Sequence, residues 1–387
     1  MKIYTGNRIT LLKNGAAFFP AMLAAIDAAV DDIRIEIYIF EDDVSGRAIA
    51  EALARAAQRG VAVRLLIDGF GSLKAPETFF DAMRAAGVDV LVYRPLRGKW
   101  FPTRHRMRRT HRKIVLVDGK VGFLGGINFI DDFTENLSTT HPRYDYAVKV
   151  EGPVLAPVYE SVHRLWRRTK WLTQLRREHD GALPTVASEA VGDTLLAFVS
   201  RDNVKHRRNI EQAYRAAISA AKSEVLIASS YFLPGRPLRQ ALVAATQRGV
   251  KVEILLQGAA DHPLMQMATR SLYADLLEAG IVIHEYRPAM LHAKVAVVDG
   301  WWATVGSSNL DPFSLLLNRE ANIIAVDAAF ATELRASLHD ETMRNAEKLE
   351  AHVWATRGMK QKLASWLALG LISAWLFRRN RDGQYSA

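Results

Sequence analysis

The sequence predicts an α/β protein made of two tandem α-β-α sandwich domains, related by a pseudo-twofold axis and sharing one active site. Three observations predict it. Strand and helix patterns alternate in the order β-α-β-α-β; that order occurs twice; and residues 110–130, THRKIVLVDGKVGFLGGINFI, return without a gap as residues 291–311, LHAKVAVVDGWWATVGSSNLD. His111, Lys113, Asp118, Gly125 and Asn128 of the first copy meet His292, Lys294, Asp299, Gly306 and Asn309 of the second, every pair 181 positions apart. A register kept through five such residues marks an internal duplication, and one of this length makes two like domains packed together, not a solenoid.

The elements follow in order. An apolar helical pattern covers residues 22–31, overlapping an apolar run at 16–30 that reads as a buried helix despite Pro20 and Asp27. Residues 33–40, IRIEIYIF, alternate with period two, as a strand does. Residues 45–59 form a helix with an alanine-rich face, which Gly60 closes as its C-cap. A strand over 61–67, a helix over 76–86 and a strand over 88–93 complete the first unit, which ends in Tyr93-Arg94-Pro95. The second half repeats the plan with a strand at 224–229, a helix at 239–249, a strand at 252–256, a helix at 272–279 and a strand at 282–286, ending in Tyr286-Arg287-Pro288. Gln58-Arg59-Gly60-Val61 and Gln247-Arg248-Gly249-Val250 close equivalent helices in the same way. After each motif a further strand begins, at 143–148 and 318–323, and each brings a carboxylate, Asp145 or Glu320.

The first domain is expected over residues 1–166, a polar linker over 167–195, the second domain over 196–345, and a membrane-associating tail over 346–387. The halves differ in one respect: Pro95 and His111 are 16 positions apart, whereas Pro288 and His292 are 4 apart. The extra residues lie in LRGKWFPTRHRMRRT at 96–110, dense in cations and aromatics. This insertion either grips phosphate head groups at the mouth of the site or is a solvated loop. In the tail, residues 363–377, LASWLALGLISAWLF, carry no charge and are flanked by Lys360, Lys362, Arg378 and Arg379. As a helix they reach only about 22 Å, short of a hydrocarbon core of roughly 30 Å. With Trp366 and Trp375 the segment reads as an interfacial or re-entrant anchor on an anionic leaflet. The plainer alternative is a helix docked on the domain or at a dimer contact.

Composition narrows the class. A hydrophobic share of 49% and a charged share of 24% are those of an ordinary globular chain. The excess of 51 Lys+Arg over 41 Asp+Glu leaves a net charge of +10, which suits an anionic partner, either nucleic acid or an anionic membrane. There is no cysteine, which excludes disulfides, thiolate metal sites and cysteine nucleophiles and fits a reducing compartment. The first residues, MKIYTGNRITLLKNG, lack the apolar core of a signal peptide, so a cytoplasmic location is expected.

On a strand, residues i and i+2 share a face, so each motif presents an imidazole and an ammonium side by side. Such a pair is a poor cation site and a good oxyanion site, and no metal is expected. Two copies meeting across a pseudo-twofold axis place two histidines, two lysines and two asparagines around one point. Lys113, Lys294, Asn128 and Asn309 can then hold the non-bridging oxygens of a phosphate. One imidazole attacks phosphorus and the other protonates the leaving alkoxide, then deprotonates the acceptor. Asp145 and Glu320 are candidates for orienting the imidazoles, and Ser307 for supporting the phosphate site. Asp118 and Asp299, although part of the candidate catalytic motif, stand at strand ends and hold the motif loop. His105, His141, His163 and His262 lack the repetition and receive no role.

The pattern H-x-K-x4-D-x6-G-[GS]-x-N is complete in both halves, through Gly125-Gly126-Ile127-Asn128 and Gly306-Ser307-Ser308-Asn309. It is similar to the HKD signature of the phospholipase D superfamily. More closely, the chain resembles the bacterial cardiolipin synthases in Phe40-Glu41-Asp42-Asp43, Ala57-Gln58-Arg59-Gly60-Val61, Tyr144-Asp145-Tyr146-Ala147-Val148, Glu151-Gly152-Pro153 and residues 305–317. The resemblance spans residues 5–345 and implies phospholipase D-like domains. It implies transfer of a phosphatidyl group from one phosphatidylglycerol to another with release of glycerol, through a phosphohistidine and without metal or other cofactor. By analogy with related bacterial phospholipases it points to His111 as the attacking residue, a choice the residues themselves leave open. Longer bacterial synthases carry two N-terminal membrane spans that have no counterpart here, so peripheral attachment to the cytoplasmic side of the inner membrane is expected. The alternatives are a phospholipase D-type hydrolase, a metal-independent phosphodiesterase acting on nucleic acid, and a non-catalytic membrane scaffold. The superfamily's single-motif nucleases are short and dimerise to complete a site, whereas this chain carries both motifs and an apolar tail; a scaffold would need neither imidazole. Nucleic acid is therefore not the expected partner, and oligomeric state is left open.

Overall fold

The structure, a computed structural model, describes residues 1–96, 106–133, 141–174, 184–186, 189–259, 262–356 and 358–377. Most of the basic insertion, the middle of the expected linker, and Arg378 and Arg379 lie outside the described residues. The first half runs β1 (Tyr4–Lys13), α1 (Asn14–Asp27), β2 (Asp32–Ile37), α2 (Val44–Gln58), β3 (Ala62–Asp68), α3 (Glu77–Ala85), β4 (Asp89–Tyr93), β5 (Ile114–Val117), β6 (Val121–Gly125), β7 (Tyr146–Glu151) and α4 (Leu155–Gln174). The second runs β8 (Thr194–Arg201), α5 (Asn209–Ala220), β9 (Glu224–Ser229), α6 (Arg236–Gln247), β10 (Lys251–Gln257), α7 (Pro263–Arg270), α8 (Tyr273–Glu278), β11 (Val282–Tyr286), β12 (Lys294–Val298), β13 (Trp302–Gly306), α9 (Pro312–Leu316), β14 (Glu320–Val326) and α10 (Ala328–Asn345). β15 (Ala346–Lys348), α11 (Ala351–Ala355) and α12 (Met359–Phe377) follow.

Local chemistry sets the element ends. Asp43 caps α2 by accepting from the Gly46 N–H at 2.7 Å, and Gly60, at φ +91°, takes the left-handed turn beyond its end. Helix α4 continues through Gln174, so the chain is still helical where the polar linker is expected to begin.

The described strands form one sheet in the order β15-β11-β10-β9-β12-β13-β14-β8-β1-β7-β6-β5-β2-β3-β4. Apart from the edge strand β15, the order reads the same outward from the β8–β1 seam: β14 mirrors β7, β13 mirrors β6, β12 mirrors β5. The pattern reading does not find the two seam strands, β1 and β8. β1 is irregular: it pairs with β8 only at Tyr4–Leu196 and Asn7–Thr194, with a register shift between them. Asn7 fills that irregularity: fully buried, it donates to the Tyr4 carbonyl at 2.7 Å and accepts from the Val154 N–H at 2.8 Å.

Each half is an α-β-α sandwich, as the sequence leads one to expect. Ile33, Ile35 and Ile37 of β2 face a core under α1, α2 and α3, and Val225 and Ile227 of β9 face a core under α5 and α6. Between the halves lies a third core, shared by strands of both and by α4 and α10. The other face of β2 is buried as well, although it carries charges. Arg34 pairs with Asp32 at 2.9 Å, and Glu36 pairs with Arg112 at 2.7 Å. The second half has Ala228 and Ala293 at the positions of Glu36 and Arg112.

The tail is docked along one face. α12 packs on α7, burying Ser365, Ala368 and Ile372. Among the described residues no helix is long and apolar enough to cross a membrane.

Removing one partner of a buried ion pair leaves the other charge unpaired, at a cost of roughly 3–5 kcal/mol. Glu36→Ala is expected to destabilise by about that amount in a denaturant titration, and Glu36→Ala/Arg112→Ala, which copies the second half, by clearly less than the sum of the single changes.

Candidate active site

The two motif strands, β5 and β12, begin just after His111-Arg112-Lys113 and at Lys294, and both open at the same end of the sheet. What joins the motifs is backbone pairing between halves. Thr110 forms a parallel bridge with Arg319, and Leu291 with Tyr144. The His111 N–H donates to the Arg319 carbonyl at 2.9 Å, and the His292 N–H to the Tyr144 carbonyl at 2.8 Å. Each motif histidine is thereby laid beside the residue preceding the other half's carboxylate.

The side chains complete the crossing. His292 Nδ1 donates to Asp145 Oδ2 at 2.6 Å, and His111 Nδ1 to Glu320 Oε2 at 3.1 Å and the Ser307 carbonyl at 3.0 Å. A carbonyl can only accept, so His111 carries its neutral-state proton on Nδ1 and keeps the Nε2 lone pair free. The carboxylate on His292 imposes the same tautomer. Ser307 braces its side of the pair, its hydroxyl donating to Glu320 at 2.5 Å and accepting from the Ala321 N–H at 3.0 Å. Its counterpart is Gly126, where an added Cβ would come 2.2 Å from Asp145 Oδ1. The first half therefore gives up a side chain so that Asp145 can reach His292.

Lys113 and Lys294 lie in the same cluster, 4% and 1% exposed, each donating to the carbonyl of its own motif histidine. Lys113 also lies 5.1 Å from the centre of the Tyr38 ring, which packs edge-on to His111. Tyr38 corresponds to Ser230, whose hydroxyl is 3.3 Å from Lys294 Nζ. Burial and the neighbouring Lys294 push Lys113 down to about 7, and burial pushes Lys294 down to about 8 against the pull of Asp145 and Glu320. Burial lowers His111 against Glu320, while burial with Lys294 and Lys113 holds His292 well below the ordinary imidazole range. Burial raises Asp145 to about 7, opposed by Lys294. For Glu320 burial acts upward, but His111, Lys113 and Ser307 outweigh it and hold the carboxyl below its usual range. The cluster is buried and rich in cations, which an anionic phosphodiester would satisfy.

The remaining motif residues do other work. Asp118 accepts from the Val30, Asp31 and Asp32 N–H groups at 2.8–2.9 Å, and Asp299 from those of Lys222, Ser223 and Glu224 at the same distances. Both have positive φ, +51° and +52°, and both stand roughly 15 Å along the strand from the lysines. They belong to the motif but not to the reacting cluster. Asn128 accepts from the Ile39 N–H at 3.1 Å, whereas the buried Asn309 Oδ1 has no partner among the described residues.

Two supports escape sequence reasoning. Asp68, ending β3, accepts from the Thr110 N–H at 2.9 Å and from Arg109 at 2.8 Å; Gln257, ending β10, accepts from the Leu291 N–H at 2.6 Å. Each fixes the residue that precedes a motif histidine. The signal is present in the repeat, since Asp68-Gly69 and Gln257-Gly258 keep the spacing of the Gln-Arg-Gly-Val pair. Arg109, from the basic insertion, is thus a buried brace.

Gly126→Ser, which copies the second half, is expected to detach Asp145 from His292. The downfield Nδ1–H resonance of His292 disappears from the proton NMR spectrum while that of His111 remains. Sulfate keeps one charge state across the lysine range, so its binding reports their protonation. It should raise the melting temperature a few degrees more than chloride at equal ionic strength near pH 6, lose that excess as pH rises through about 7 to 8, and show none in Lys113→Met.

A family model described as "Cardiolipin synthase, PLD-like domain" matches residues 22–164 and 214–341, one stretch around each motif. Cardiolipin synthase B of Salmonella typhi is 40% identical over 379 residues, which is 97% of this chain and 88% of that protein. Cardiolipin synthase B of Escherichia coli (strain K12) is 40% identical over 348 residues, 86% of this chain and 80% of that one. Among solved structures, phosphatidylserine synthase of Haemophilus influenzae superposes with a TM-score of 0.68 over 96% of this chain and 94% of that one, at 15% identity, a likeness of fold. Sequence kinship over nearly the whole length, with both motifs intact and facing each other, leads to one statement: the chain belongs to the cardiolipin synthase family of phospholipase D-like proteins.

Proposed function

We propose that this protein is a phosphatidyltransferase that joins two phosphatidylglycerol molecules into cardiolipin and releases glycerol. The observation that carries the reading is the crossed pair of imidazoles, each with Nδ1 bound by the opposite half's carboxylate, beside two buried lysines. Nε2 of one histidine attacks the phosphorus of the donor lipid, and the bond from phosphorus to the glycerol head-group oxygen breaks. The other histidine, charged by a second proton on Nε2 once the anionic lipid is bound, gives that proton to the departing oxygen, and glycerol leaves. The same histidine then takes a proton from the hydroxyl of a second phosphatidylglycerol, whose oxygen displaces the first histidine from phosphorus. Protons balance over the cycle and both imidazoles return to their starting state.

Lys113 and Lys294 stabilise the negative charge that grows on the non-bridging oxygens in each transition state, and their burial strengthens that interaction. Asp145 and Glu320 orient the rings and stabilise the imidazolium when it forms. Phosphatidylglycerol in an anionic bilayer, on the cytoplasmic side of the inner membrane, is the partner this reading requires, and the net charge of +10 supports it. Neither a metal nor nucleic acid enters the cycle.

Purified protein given phosphatidylglycerol vesicles, with no metal added, is expected to form cardiolipin and glycerol in equal amounts. Phosphatidic acid as the sole lipid product would make it a hydrolase instead. His111→Ala and His292→Ala should each lower kcat by at least roughly 10³ while circular dichroism and melting temperature stay near those of the parent.

A further inference from the structure

The tail helix α12 has two faces, and only one is accounted for by the fold. Ser365, Ala368 and Ile372 are buried against α7, while Leu363, Trp366, Leu367 and Leu371 are each 59–67% exposed. These four recur at the i, i+3, i+4, i+8 spacing of a single helical stripe, and Gly370 and Ala374, also exposed, lie on the same side. From Leu363 to Leu371 the stripe runs about 12 Å along the helix, and its four large side chains leave a contiguous apolar surface in water.

We propose that this stripe is the bilayer contact of the protein, with α12 lying flat in the interface of an anionic membrane and α7 holding the active site over it. Two features argue for a membrane rather than another protein. In sequence the apolar segment is bracketed by Lys360, Lys362, Arg378 and Arg379 and includes Trp366, the composition of an interfacial helix on anionic lipid. Its place in the fold fits as well. The N-cap of α7, His262, has its ring 5.7 Å from that of Tyr231, which adjoins Ser230, the hydroxyl partner of Lys294. The helix that carries α12 thus starts against the residue next to Ser230. Docking of α12 is what keeps the apolar segment from being a free tether: depth and tilt of the site are set by a packed helix pair. The charge argument rests on the anionic substrate proposed above.

Vesicle flotation of the full chain tests this apart from catalysis. The parent protein should float with phosphatidylglycerol vesicles and much less with phosphatidylcholine vesicles. Trp366→Glu/Leu371→Glu should lower the bound fraction at least roughly tenfold, with turnover of water-soluble short-chain phosphatidylglycerol within about twofold. Trp171→Glu, an exposed aromatic on α4, should float like the parent. Flotation of the double variant equal to the parent, or no flotation of the parent, overturns the proposal. So does a parent that light scattering shows as a dimer and the double variant as a monomer with flotation intact, since the stripe then faces a second copy. If flotation falls as expected and no protein makes cardiolipin, the membrane face stands and the transferase reading falls.

Discussion

Two hydrogen bonds between halves, His292 to Asp145 and His111 to Glu320, determine what the rest of the structure is for. They exist because the chain just ahead of each motif pairs in parallel with the chain just ahead of the opposite carboxylate. The side-chain geometry is therefore inherited from backbone pairing, which is more rigid than any rotamer. A fixed Nδ1 proton leaves Nε2 as the free atom on both rings, as the proposed division between nucleophile and proton carrier requires. Neither half owns a complete histidine–carboxylate pair.

The electrostatics oppose the fold's own stability and serve its chemistry. Burying Lys113 and Lys294 together, with both histidines beside them, disfavours every positive charge in the cluster. Asp145 and Glu320 offset part of that cost, and in the proposed reaction the bound phosphodiester would offset more. A site left short of anions in this way favours its ligand through desolvated charge that is already in place. The contrast with Glu36 and Arg112 is instructive. That pair is equally buried but complete, so it stabilises packing and offers nothing to a ligand.

Much of this was legible in the sequence. The 181-residue repeat named both histidines and both lysines, and the spacing after each motif singled out Asp145 and Glu320. What spacing could not say is which histidine each carboxylate faces, because that depends on how two domains meet. The seam strands went unread for a local reason: β1 is broken at Gly6 and Asn7, so its alternation is interrupted where it matters. The alternation of β2 marked a strand but could not tell that Arg34 and Glu36 are as buried as the isoleucines between them. The tail was readable as interfacial or docked, and the structure shows it docked on one face with the other left open.

The seam between halves has a mechanical consequence. They are tied at three places by main-chain pairing: β1 with β8, Thr110 with Arg319, and Tyr144 with Leu291. Swinging the halves apart like a clamshell would tear buried peptide hydrogen bonds at every one of them. Whatever movement admits a two-tailed lipid or releases a four-tailed one must therefore leave these pairings in place.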